Sequence, residues 1–185
     1  MFQKIGKYTA LCGSSMLIVM AAATAQAADG QVEFTGVIND NACTINSESV
    51  KKSVDMGQVR IADFASTVGS TAGATPFSIS LENCSGPTLK NASIKFSGQQ
   101  AVTDATVLGM TGENQITGVG IQINDARTGS KLALNTASSD YVLRPQGNTF
   151  DFTASYVRLA ADTEEVSGIG TGKVNALASF DVTYK

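Results

Sequence analysis

The sequence predicts an all-β fold, an antiparallel sandwich of short strands, and three observations predict it. Apolar residues recur at every second position in one segment after another, the period of a strand with one buried face. Clusters of glycine, asparagine and serine separate those segments, as turns do. No stretch spaces its apolar residues as an amphipathic helix would. Short strands divided by turn residues bury their apolar faces by packing as two sheets.

In chain order, the first alternating segment holds Val32, Phe34 and Ile38, with Gly36 between them. Residues 60–66 suit one short helical turn, and Val68 to Thr75, small and polar, reads as a loop. Phe77, Ile79 and Leu81 alternate after Pro76, and Ile94 and Phe96 follow. Val119, Ile121 and Ile123 alternate, Asp125 to Ser130 turns, and Leu132 and Leu134 resume. Phe150, Phe152, Ala154 and Tyr156 make the next segment, and Ala161 to Gly172 reads as a second long loop. The final segment is the most regular: Val174, Ala176, Ala178, Phe180, Val182 and Tyr184 alternate. No internal domain boundary is visible after residue 40.

A chain of 185 residues suits one domain, and 43% hydrophobic with 16% charged residues supplies a core and argues against disorder. The net charge is -3 and no basic patch stands out, so nucleic acid is a poor partner. The absence of histidine excludes a Ser-His-Asp hydrolase, a His-ligated zinc site and a His general base. No cofactor or metal is expected.

Residues 1–27 read as an export signal. Lys4 and Lys7 precede an apolar stretch from Leu11 to Ala23, and Ala25-Gln26-Ala27 suits a signal peptidase. The expected mature start is Ala28, with cleavage after Ala25 as the alternative. A membrane anchor is the competing reading, but the apolar stretch is short for a span and ends in small residues. Cleavage removes Cys12 and leaves Cys43 and Cys84, an even count that in an exported chain predicts a disulfide, against two free buried thiols.

The two ends match oddly. Gly30, Val32 and Phe34 share one face of a segment that directly follows the cleavage site and has little behind it to anchor it. A free alternating strand is a polymerisation hazard unless something binds it, and it is also what strand addition requires.

Several runs carry a resemblance to the pilin subunits of chaperone–usher fimbriae, most of all to the major subunit of type 1 fimbriae. They are Gly30 to Asn39 leading to Ala42-Cys43, Met56-Gly57-Gln58-Val59, Phe77 to Cys84, and Gly118 to Ile123 followed by Asp125. Gly172, fourteenth from the end, and the penultimate Tyr184 match the family's signature for chaperone recognition. The resemblance implies an incomplete immunoglobulin-like sandwich, residues 37–185, that lacks its seventh strand. A periplasmic chaperone would fill the gap first. At the outer-membrane usher, the extension of another subunit, residues 28–36 here, would replace the chaperone strand. Gly30, Val32 and Phe34 are the expected donor residues; Gly172, Phe180, Val182 and Tyr184 are expected on the groove and chaperone face. The expected product is a cell-surface fimbrium whose subunits do not themselves span the membrane.

Other signals are weaker. Gly168-Ile169-Gly170-Thr171-Gly172 precedes a strand, not a helix, so a phosphate cradle is not expected. Asn91-Ala92-Ser93 matches a short, common glycosylation pattern, Asn39-Asp40-Asn41 fits a turn better than calcium, and Glu164-Glu165 fits a solvated loop. The leading function is a structural subunit of a fimbrial shaft that supports adhesion. A minor pilin or adaptor subunit is the alternative, and a tip adhesin or terminator is disfavoured. From other classes come a self-sufficient sandwich that binds a small ligand and, last, an enzyme, for which no cluster of titratable groups can be named.

Overall fold

The computed structural model describes residues 43–85, 90–112, 116–163 and 168–185. The export signal with Cys12, the donor segment with Gly30, Val32 and Phe34, the Asn39–Asn41 turn, and Glu164-Glu165 lie outside the described residues. The elements run β1 (Thr44–Ile45), α1 (Ser47–Val50), a 3₁₀ turn (Ile61–Asp63), β2 (Thr71–Cys84), β3 (Asn91–Gly98), β4 (Val119–Asp125), β5 (Lys131–Leu132), β6 (Tyr141–Val142), β7 (Gln146–Arg158) and β8 (Ala178–Tyr184).

Two antiparallel sheets face each other, one ordered β1-β2-β7-β4-β5 and the other β6-β3-β8. Inward residues alternate as the sequence predicts. Ile79 and Leu81 of β2, Phe150, Phe152 and Ala154 of β7, and Ile121 and Ile123 of β4 are buried in the first sheet. Ala92, Ile94 and Phe96 of β3 oppose them from the second. Phe96 meets Phe152 edge-on with ring centroids 5.1 Å apart, a favourable geometry across the layers. Cys43 and Cys84 are disulfide-bonded, tying the entry of β1 to the end of β2.

The short elements have local causes. Asn46 caps α1 by accepting a hydrogen bond from the Glu48 N–H at 2.8 Å. In the 3₁₀ turn, the Asp63 carboxylate accepts the Arg60 N–H at 2.8 Å and pairs with its guanidinium at 2.7 Å.

Two boundaries differ from the sequence reading. The segment Val68 to Thr75 is not wholly loop, because β2 already begins at Thr71. Its small residues pair with the end of β7, Thr71 with Val157 and Ala72 with Tyr156, before a bulge between Ala72 and Thr75. Conversely, the last alternating segment is paired only from Ala178 onward. Val174 to Leu177 keep the alternation without a strand partner, since β3 ends opposite Ala178 at Gly98. Among the described residues no helix is long and apolar enough to cross a membrane.

Candidate functional site

The two sides of the second sheet are covered unequally. The inward residues of β3 are almost fully buried, with Ile94 1% and Phe96 4% exposed. Their partners across the ladder, Val182 and Phe180, and neighbouring Tyr184 are only half-buried although they pack against the same core. Beside Phe180 an open groove of about 1630 Å³ runs over the core. Its floor includes Phe77, Ile79, Phe96, Ile121 and Ile123.

The β8 edge beside this groove has no partner strand among the described residues, where β8 pairs only with β3. Which backbone groups remain open follows from the register. Asn91 and Lys185 exchange both backbone hydrogen bonds, at 3.0 and 2.8 Å, so this pair is a hydrogen-bonded one. Hydrogen-bonded and non-hydrogen-bonded pairs alternate along an antiparallel ladder. The non-hydrogen-bonded pairs are then Ala92–Tyr184, Ile94–Val182, Phe96–Phe180 and Gly98–Ala178. The β3 side agrees: Ile94 and Phe96 turn their carbonyls away from β8, accepting from the N–H groups of Ser138 at 2.8 Å and Asn135 at 2.7 Å. Ala178, Phe180, Val182 and Tyr184 thus present unpaired backbone groups to the open side, and the same residues direct their side chains inward.

The groove has two lips. One is residues 50–61, the other residues 169–180. The first is anchored at its start, where the Asn46 N–H donates to Ser80 O at 2.9 Å and Ser49 Oγ accepts from the Ser80 N–H at 3.0 Å. At its middle the Tyr156 hydroxyl donates to Gly57 O at 3.3 Å. Half-buried Val54 and Met56 precede Gly57, and half-buried Val59 and Ile61 follow it. The shift from even to odd inward positions occurs at Gly57, whose φ of +63° is a left-handed conformation that glycine adopts without strain. Among the described residues, the backbones of 53–56 and 171–174 form no hydrogen bond with another strand. Two extended apolar lips and a free strand edge together make a slot for one more strand.

Of the residues expected on the groove face, Gly172 and Phe180 line the slot. Val182 and Tyr184 lie beyond it along β8, packed on the core, with the Tyr184 hydroxyl 3.4 Å from Cys43 O. The sequence reading missed the first lip and the floor residue Phe77 as parts of one site. The spacing of Val54 and Met56 was a signal, broken by the change of register at Gly57. The glycine-rich run 168–172 leads into the second lip without a helix. Asn91 and Ser93 lie within β3, and Ser93 is 2% exposed, which leaves the glycosylation pattern inside a paired strand.

Known proteins resemble this chain in sequence and in fold. The model of a family described as fimbrial protein matches residues 32–185. The Type-1 fimbrial protein, A chain, of Escherichia coli (strain K12) is 35% identical over 182 residues, 96% of this chain and 94% of the relative. The probable major fimbrial subunit LpfA of Escherichia coli O157:H7 is 34% identical over 162 residues, covering 87% of this chain and 86% of that protein. Among solved structures, the P pilus rod subunit PapA shares the fold with a TM-score of 0.63 at 21% identity, covering 78% of this chain and 100% of that one. The Burkholderia pseudomallei antigen and type I fimbria protein BPSL1626 has a TM-score of 0.58 at 32% identity, covering 79% of this chain and 91% of that one.

Proposed function

The chain belongs to the fimbrial protein family, and from that premise we propose that it is a structural subunit of a chaperone–usher fimbria. It polymerises by donor-strand exchange and supports cell adhesion. The observation that supports this reading is the pairing of a β8 edge that has no second partner among the described residues with an open groove over the core: alternate backbone groups of β8 and the half-buried side chain of Phe180 await one more strand. Strand addition satisfies both at once, since backbone bonds supply affinity and alternate side chains fill the slot. Each large apolar side chain that becomes buried contributes about 1.5–3 kcal/mol.

In this reading residues 1–27 direct export and are removed, and the subunit reaches the cell surface through the periplasm. Residues 28–36 of one copy enter the groove of the next, with Val32 and Phe34 pointing at the floor and Gly30 at a narrow point. Before assembly a periplasmic chaperone lends a strand to the same edge, meeting Gly172, Phe180, Val182 and Tyr184, and hands the subunit to an outer-membrane usher. The role is mechanical and not catalytic.

The test is expression of the exported chain with and without a fimbrial chaperone. The expected result is soluble protein only as a one-to-one complex, and fibres once an usher is supplied. Phe34→Asp should leave the chaperone complex intact and stop fibre growth. Accumulation of the exported chain as a soluble monomer at undiminished yield without chaperone would refute the reading.

A further inference from the structure

The groove lips differ in charge from the rest of this chain. The protein carries a net charge of -3, yet the charged residues lining the groove are Lys51, Lys52, Arg60 and Lys173 against a single acid, Asp55. Arg60 is neutralised by Asp63 at 2.7 Å. Lys51, Lys52 and Lys173 are exposed, and among the described residues none of them joins an ion pair. Two of these free cations stand on the first lip and one on the second.

The segment proposed to enter has the opposite character. Residues 28–36, Ala-Asp-Gly-Gln-Val-Glu-Phe-Thr-Gly, contain Asp29 and Glu33 and no basic residue. Successive side chains of a strand point to opposite faces. When Val32 and Phe34 face the floor, Glu33 between them faces the opposite way, out of the slot.

We propose that Lys51, Lys52 and Lys173 form an electrostatic gate that selects the acidic N-terminal segment of a second copy of this chain. Glu33 is the charge that Lys51 and Lys52 read, while Lys173, towards the other end of the groove, adds to the field that steers the segment in. The inference rests on the strand-addition reading and adds partner selection to it. Exposed charges of this kind act mainly on the encounter rate and on the rejection of wrong partners, and salt weakens them. Apolar burial holds the strand once it is in place.

The test uses the full exported chain, released from denaturant, with polymer growth followed by light scattering and gel mobility in low and high sodium chloride. Four proteins are compared: the natural chain, Glu33→Lys, the double variant Lys51→Glu with Lys52→Glu, and the chain carrying all three changes. At low salt, Glu33→Lys and the double variant should each polymerise about tenfold more slowly, the chain with all three should recover, and the natural chain should slow as salt is raised. Circular dichroism confirms that each variant folds. Should a variant misfold, the salt dependence of the natural chain decides alone. Growth that ignores salt and both substitutions, yet still stops in Phe34→Asp, overturns the gate and leaves strand addition standing. Absence of any polymer from the natural chain overturns both.

Discussion

A Cβ placed on Gly73 would lie 2.7 Å from Val59 Cγ1 and 3.2 Å from the Tyr156 ring, at a φ of +64°. Gly73→Ala must therefore strain the backbone and push Val59 of the first lip. It should cost about 1–3 kcal/mol, read as a lower urea midpoint. A second residue-scale device is the contact of Asp125, Arg127 and Tyr141 between the sheets. The buried Asp125 carboxylate accepts from Arg127 at 2.9 Å and from the Tyr141 hydroxyl at 3.1 Å, and the guanidinium stacks 3.6 Å over the Tyr141 ring. Burial alone would raise the Asp125 carboxyl, but the bonds from Arg127 and Tyr141 outweigh it and hold it below its ordinary value. Asp104, bonded by the Thr106 hydroxyl and N–H, is lowered to about 2. A carboxyl that is lower in the folded state stabilises fully above its unfolded value, about pH 4, and loses that contribution as pH falls through the folded value. Stability should fall between about pH 4 and pH 2. Burial, with the Asp125 charge, pushes Tyr141 up to about 12, so its contribution is complete below about pH 10 and is lost towards 12. Tyr141→Phe should remove this alkaline loss while costing about 1 kcal/mol at neutral pH. Urea titrations across pH would show both limbs.

Among the described residues β8 is held on one side only, by β3. Val182→Asp would place a charge on the half-covered core face of this strand opposite Ile94. A loss of about 2–4 kcal/mol is expected, from the missing apolar contact and the unpaired charge, with the chaperone-bound yield falling in step. Beside the end of β8, where the Tyr184 hydroxyl reaches Cys43 O, the disulfide spans 41 residues from the entry of β1 to the end of β2. In the chain-entropy view a loop of this length contributes about 4 kcal/mol. Reduction, or Cys43→Ser with Cys84→Ser, should lower stability by an amount of that order. The measurement is denaturation with and without reductant.

For the molecule as a whole, an open groove means that the sandwich gains stability when a strand arrives. A peptide of residues 28–40 supplied at about a thousand times its dissociation constant would add about 4 kcal/mol by mass action. That should raise the melting temperature of the Phe34→Asp chain, whose own segment is expected to leave the groove open. The same peptide carrying Phe34→Asp should leave melting unchanged. If both peptides act alike, the slot is not what binds them.

Much of this architecture was legible from alternation, because a strand buried on one face must repeat with period two. The inward sets of β2, β3, β4 and β7 follow directly from it, and the cysteine count identified the disulfide pair. What alternation could not show is where pairing stops. Val174 and Ala176 continue the pattern of Phe180 and Val182, yet only the latter have β3 beside them. Val54, Met56 and Val59 look like an ordinary short strand, yet they form the opposite lip. The side-chain period records which face is buried; the backbone hydrogen bonds depend on a neighbour that lies far away in the chain. The sequence by itself determined a disulfide-linked β-sandwich with inward and outward faces. Only the tertiary structure decided that two distant segments flank one uncovered stretch of core, because that requires knowing which strand edge is left without a partner.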